Sequence, residues 1–171
     1  MIFATVGTQL PFDRLLAGLN NWAARNPVVP VFAQTGASQR KFDHIDTVEH
    51  LSQSEFATRF SAARLIVSHA GMGTILSAAE LGKPLILMPR RLKFGEHRTD
   101  HQQDTATEMA HLSNVTVVAD GEALHEALDR ALVQGFPVAK SEADTVSPKL
   151  EPLLNVIRDF VWEQPTAQRG A

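Results

Sequence analysis

Leu65-Ile66-Val67-Ser68-His69-Ala70-Gly71-Met72-Gly73-Thr74-Ile75-Leu76 is an apolar run that breaks at two glycines and resumes with a different period. Leu65 to Ser68 suits a buried strand, and Thr74 to Leu81 keeps a helical apolar spacing until Gly82 stops it. A strand entering a helix through glycines is half of the crossover that a parallel sheet requires. The alternation continues in both directions. Upstream, Ile2 to Val6 reads as a strand, and Phe12, Leu15, Leu16, Leu19 and Trp22 are spaced for one helical face. Val29 to Ala33 reads as a second strand running into the turn Thr35-Gly36-Ala37-Ser38, with a short third near Thr47 to Glu49. Ser52 is placed to cap a helix reaching Ala63, with Glu55 completing a capping box and Phe56 and Phe60 on its buried side. Downstream, Pro84 opens a strand from Leu85 to Met88, and Pro89 to Thr99 is a polar excursion without apolar period. A helix near Asp100 to His111, a strand from Val115 to Val118 and a helix from Glu122 to Leu132 follow. The expected fold class is α/β: an open parallel sheet with helices on both faces.

The chain has 171 residues, 44% of them hydrophobic, which is material for one core and a single domain. A formal net charge of −3 removes any whole-chain electrostatic case for nucleic acid as the partner. Without cysteine there is no disulfide framework, thiolate metal site or cysteine nucleophile. Met1 to Gly7 is too short for a signal peptide and lacks a basic leader, and no apolar run approaches the roughly 20 residues that cross a bilayer. A cytoplasmic location is expected, with any membrane work done at the surface or through a partner. Gly135 to Pro148 turns to Pro, Ser and mixed charge, after which Leu150, Leu153, Leu154, Ile157, Phe160 and Val161 recur at helical spacing. The expected organisation is a ligand-binding domain over 1–147, an amphipathic helix over 148–163 that either docks a partner or packs on its own sheet, and a frayed tail over 164–171.

In open parallel sheets ligands bind beyond the carboxyl ends of the strands, and that rim carries Gly7-Thr8, the 68–74 turn and Pro89 to Gln103. Gly71 and Gly73 stand at a strand-to-helix junction, where backbone N–H groups can approach an oxyanion while the helix terminus adds partial positive charge. A phosphate or diphosphate is the natural ligand, although two such glycines also suit a tight turn and nothing more. Ser68, His69 and Thr74 bring three further hydrogen-bonding groups. Neither standard nucleotide signature fits. The Gly-x-Gly-x-x-Gly pattern fails at Leu76, and no Gly-Lys-Ser/Thr triplet exists. Arg90, Arg91 and Arg98 suit a carboxylate or a phosphate, or else form a solvated face. A rival reading takes His97-Arg98-Thr99-Asp100-His101 as an inverted zinc-peptidase motif, which needs both histidines on one helix and has Asp where that motif has Glu.

Ser68-His69-Ala70-Gly71-Met72-Gly73-Thr74, then Glu80-Leu81-Gly82-Lys83-Pro84-Leu85-Ile86, then His101-Gln102, resembles the donor-binding half of GT-B glycosyltransferases, the family 28 C-terminal domain with its Rossmann-like sheet. Thr5-Val6-Gly7-Thr8 with Phe12-Asp13 fits the same family. The likeness spans roughly Met1 to Leu132 and includes small catalytic subunits of two-component, polyprenyl-linked N-acetylglucosamine transferases. Pro89-Arg90-Arg91, Gly95-Glu96-His97-Arg98 and Asp100-His101-Gln102 look more like the bacterial exopolysaccharide members. The resemblance implies a UDP-sugar donor, an inverting, metal-independent transfer without a cofactor, and a polyprenyl-linked saccharide as acceptor. It implies that Gly71, Met72, Gly73 and Thr74 bind the diphosphate, that Gly7 and Thr8 close the site, and that Gln102 contacts the sugar beside His101. His50 and Leu51 fall near the segment that brackets the base. The carboxylate that holds the ribose in the family falls at Ser77, with Glu80 one helical turn on as a substitute. His69 and His101 are candidate proton acceptors unless the base comes from the acceptor half. With material for only one of two GT-B domains, the expectation is a separate, membrane-associated acceptor subunit. A nucleotide-sugar-binding regulatory module without turnover is the alternative.

Overall fold

The computed structural model describes residues 1–135. Six strands, β1 (Ile2–Thr5), β2 (Val31–Gln34), β3 (Asp46–Val48), β4 (Leu65–Ser68), β5 (Leu85–Leu87) and β6 (Val115–Val117), form one sheet in the order β3-β2-β1-β4-β5-β6. Every pairing is parallel. The crossovers carry α1 (Asp13–Arg25), α2 (Gln53–Ala62), α3 (Met72–Glu80), α4 (His101–Met109) and α5 (Gly121–Gln134). The chain winds outward from β1 to β3, returns to lay β4 against the other side of β1, and winds outward again. Strand order therefore reverses between β1 and β4, the position where such sheets open a crevice at their carboxyl ends. Thr5 pairs with Ser68, so the two chains leave the sheet side by side at Gly7 and His69.

Both faces are covered because the strands alternate. Ile2 and Ala4 of β1 face the side packed by Leu16, Leu19 and Trp22 of α1 and Leu124 and Leu128 of α5. Phe3 faces the other, with Phe60 of α2, Ile75 and Ala78 of α3 and Met109 of α4. Its ring meets Phe56 edge-on at 5.4 Å and Phe60 at 6.2 Å. Each fully buried side chain of this size contributes about 1.5 to 3 kcal/mol. Trp22 Nε1 donates to Asp129 Oδ1 at 2.7 Å, so α1 and α5 are joined by a polar contact as well as by packing.

The capping box at α2 is present: Ser52 Oγ accepts the Glu55 N–H, and the Glu55 carboxylate accepts the Ser52 N–H. The Ser52 hydroxyl, which donates to Glu55 Oε2 at 2.6 Å, and then the Ser52 N–H hold the Glu55 carboxyl below its usual range. Most element boundaries shift by one or two residues from the sequence reading. β2 begins at Val31 because the Val29 N–H closes a turn on Asn26 O. α3 begins at Met72, since Gly71 is its N-cap and no hydroxyl is needed to start it. α4 begins only at His101. The expected helix over 148–163, the tail over 164–171 and the boundary at 147 lie outside the described residues. Among the described residues no helix is long and apolar enough to cross a membrane.

Candidate functional site

At the exit of β4, Gly71 caps α3 with extended backbone and no side-chain hydrogen bond. The first acceptor used in the helix is Gly71 O, by the Ile75 N–H at 3.2 Å. The N–H groups of Met72, Gly73 and Thr74 thus have no acceptor among the described residues, and they project from the positive end of the helix dipole. Space beside Gly73 is open, because a Cβ built on it would meet nothing within 4 Å. Thr74 lies behind, nearly buried.

The other glycines have a different reason. The His69 ring sits between the β1 and β4 exits: a Cβ on Gly7 would meet its Cε1 at 3.1 Å, and one on Gly71 would meet Cε1 at 2.9 Å and crowd Nε2 still more closely. Gly7 is left-handed at φ +74. A Cβ on Gly36 would in turn overlap the Gly7 carbonyl, so the β2 exit packs on the β1 exit, which meets the imidazole. Burial, reinforced by the neighbouring Arg90 charge, pushes the His69 pKa down to about 4. His69 is consequently neutral at pH 7, the form that can accept a proton, and its ring also fills the space between the two exits. Ser68 is 0% exposed, and its Oγ donates to His69 O at 2.9 Å.

Arg90 is held by the protein's own backbone. It is 3% exposed, and its guanidinium donates to the carbonyls of Val6 (2.6 Å), Leu10 (2.7 Å), Pro11 (2.7 Å) and Glu96 (3.0 Å). Desolvation pushes its pKa down to about 10, leaving it charged and committed to the protein itself. Arg91 differs: its Nε is buried without a hydrogen-bond partner among the described residues. Gln102 is also buried, and its Oε1 accepts the Arg90 N–H at 3.1 Å, so only its amide nitrogen is left for a sugar. Two residues passed over in the sequence complete this brace. Arg14 forms a two-pronged pair with Glu96 at 2.8 and 2.9 Å and donates to Pro89 O and Ala119 O. Nothing in the sequence links them, since they stand 82 positions apart.

Thr8 is exposed beside Gly7. Ser77 is half-buried on α3, and Glu80 closes that helix about 4.5 Å further along its axis, away from the free amides. His50 is exposed and pairs with Glu49 at 3.1 Å, whereas Leu51 packs against the Phe3 core. Both follow β3, three strand positions from β4 or about 14 Å, so they meet a ligand held at α3 only at its far end. His101 is exposed, with Nδ1 2.5 Å from Thr99 Oγ1 and its ring 4.5 Å from that of His97. Because His97 precedes α4, the two histidines do not share a helix, and the premise of the peptidase reading fails.

Sheet order and the unpaired amides together define an open, doubly wound α/β domain with those amides beside the β1/β4 switch point. The chain belongs to the glycosyltransferase family 28 C-terminal domain, whose model matches residues 1–150. A curated relative from Parabacteroides distasonis, a UDP-N-acetylglucosamine--N-acetylmuramyl-(pentapeptide) pyrophosphoryl-undecaprenol N-acetylglucosamine transferase, is 31% identical over 116 residues. That match covers 61% of this chain and 29% of the relative, so the chain spans about a third of the relative's length or less. The fold is similar to a solution structure of ALG13, with TM-score 0.62 and 19% identity over 90% of this chain and 94% of that one. It is also similar to MurG of Acinetobacter baumannii, with TM-score 0.60 and 18% identity over 92% of this chain and 49% of that one.

Proposed function

We propose that this chain is the donor-binding half of a UDP-sugar-dependent, inverting glycosyltransferase that acts on a polyprenyl-linked saccharide in exopolysaccharide biosynthesis. The observation that carries the reading is the trio of unpaired amides at Met72, Gly73 and Thr74 at the switch point, with free space beside Gly73. A diphosphate leaving group gains negative charge as the glycosidic bond breaks, and preorganised N–H donors at a helix terminus stabilise that charge without reorganising. Family membership and the relative's printed activity support a nucleotide sugar as donor and a lipid-linked acceptor. Gly7 and Thr8 close the site, Ser77 and Glu80 lie along the ribose side, and the Gln102 amide and His101 face the sugar. Arg91 takes an anionic group, a uronic carboxylate or the lipid phosphate. His69 holds the two loops apart, and the acceptor proton goes to a base supplied with the acceptor half, as the family resemblance implies. That half belongs to a membrane-associated partner subunit, and the described domain works as a peripheral catalytic subunit at the inner membrane face. The likeness to ALG13 over nearly that chain's whole length supports a unit of this size.

The decisive test is calorimetric titration of the full chain with UDP and a panel of UDP-sugars. Binding by the wild type and its loss in Gly73→Asp, which sets a carboxylate before the amides, is the expected result. Undiminished UDP affinity in that variant sinks the reading. Transfer of labelled sugar to a polyprenyl-linked acceptor should require a co-purifying membrane subunit, and a full rate without it removes the two-subunit proposal.

A further inference from the structure

Arg90 to Arg98 reads Arg-Arg-Leu-Lys-Phe-Gly-Glu-His-Arg, with three cations besides the buried Arg90 against one carboxylate in a chain of net charge −3. That carboxylate, Glu96, is already held by Arg14. Inside the stretch a 3-10 turn, Leu92–Phe94, stands at the sheet's carboxyl rim with Leu92 51% and Phe94 53% exposed. The turn is tightly made. The Leu92 N–H donates to Asp100 Oδ1 at 2.9 Å, the Arg91 N–H to Glu96 Oε2 at 3.0 Å, and left-handed Gly95 closes the turn on Leu92 O at 2.9 Å. The Phe94 ring is flanked by the Arg14 guanidinium at 5.1 Å and the Lys93 ammonium at 4.8 Å. Arg40 shares with Phe94 a shallow concavity of about 390 Å³.

A loop that turns its polar groups inward and holds two large apolar side chains outward keeps apolar area in water that the turn itself does not require. Polar side chains at both positions would leave every one of those hydrogen bonds intact. Apolar residues interleaved with cations match the boundary between acyl chains and anionic headgroups. A protein partner is the poorer match, because lysine is depleted at protein interfaces and Lys93 sits between the two apolar residues. We propose that the Leu92–Phe94 turn is a direct lipid-surface contact: Leu92 and Phe94 enter the interfacial layer of an anionic bilayer, while Lys93, Arg98 and Arg40 meet lipid phosphates. This contact rests on the loop alone and does not need the transferase reading. On that reading it would turn the amide rim toward the surface from which a lipid-linked acceptor is drawn.

The test is co-sedimentation of the full chain with vesicles of equimolar phosphatidylglycerol and phosphatidylcholine, and with vesicles of phosphatidylcholine alone. The wild type should pellet with the anionic vesicles, weaken with added salt, and stay in solution with the neutral ones. Leu92→Ser with Phe94→Ser should lower the anionic partition coefficient about tenfold, with an unchanged thermal melt. Lys93→Glu should lower it several-fold. No pelleting of the wild type, equal partition onto both vesicles, or wild-type partition by the double variant would each overturn the proposal. UDP titration of the same samples keeps the two readings separate, since the double variant should bind UDP as the wild type does.

Discussion

Gly71 and Gly73 stand two positions apart under opposite constraints, one facing a buried ring and the other open space. Gly71→Ala should therefore cost about 1 to 3 kcal/mol in urea unfolding, as overpacking does. Gly73→Ala should be neutral or stabilise by up to about 1 kcal/mol, because alanine is the better helix former. Equal effects would mean that His69 is not the obstacle. The same ring predicts a pH dependence. With a pKa of about 4 in the folded chain against 6.5 when unperturbed, the unfolded chain binds a proton between those values that the native chain refuses. This contribution is complete above pH 6.5 and is lost as pH falls toward 4, amounting to about 2 kcal/mol between pH 7 and 5. Denaturant titrations at the two pH values should show a larger drop for the wild type than for His69→Asn. Equal drops would show that the ring is not held neutral.

Elements whose signals are local were legible in the sequence. Ser52 and Glu55 announce α2 because both halves of a capping box lie within one turn, and Ser52→Ala should lower stability by about 1 kcal/mol in thermal unfolding. A loss under a few tenths would show that the exposed cap is replaced by water. The strands were legible because a sheet covered on both faces demands short, continuous apolar runs, and the glycine turn after β4 marked the rim. What the sequence could not display was which atoms at that rim are already occupied. Ser68 is buried with its Oγ on His69 O, and the His69 ring fills the space beside Gly7 and Gly71. Pro89 to Thr99 looked like a loose excursion for want of apolar period. It is instead ordered by polar contacts with residues at the far end of the sequence, Arg14 above all.

Across the whole molecule, Arg90 is the point where the two halves of the sheet are tied together at their carboxyl ends. Its partners Val6, Leu10 and Pro11 lie 84, 80 and 79 positions away, in the connection leading into α1, and Glu96 lies in the loop before α4. The guanidinium thus bridges the β1 and β5 exits across β4, the strand that leads to the free amides of α3. A planar fork with five donors can serve four carbonyls converging from two loops, whereas an ammonium with three donors cannot. Arg90→Lys keeps the charge and still leaves at least one buried carbonyl unpaired, at about 1 to 3 kcal/mol for each such group. The variant should unfold at lower urea with an unchanged m-value, which separates lost stability from a changed unfolded state. UDP affinity should fall as well, because the Gly7 loop loses the anchor that holds it against His69. Wild-type stability in this variant would show that water replaces the fork and that the rim is not braced from within.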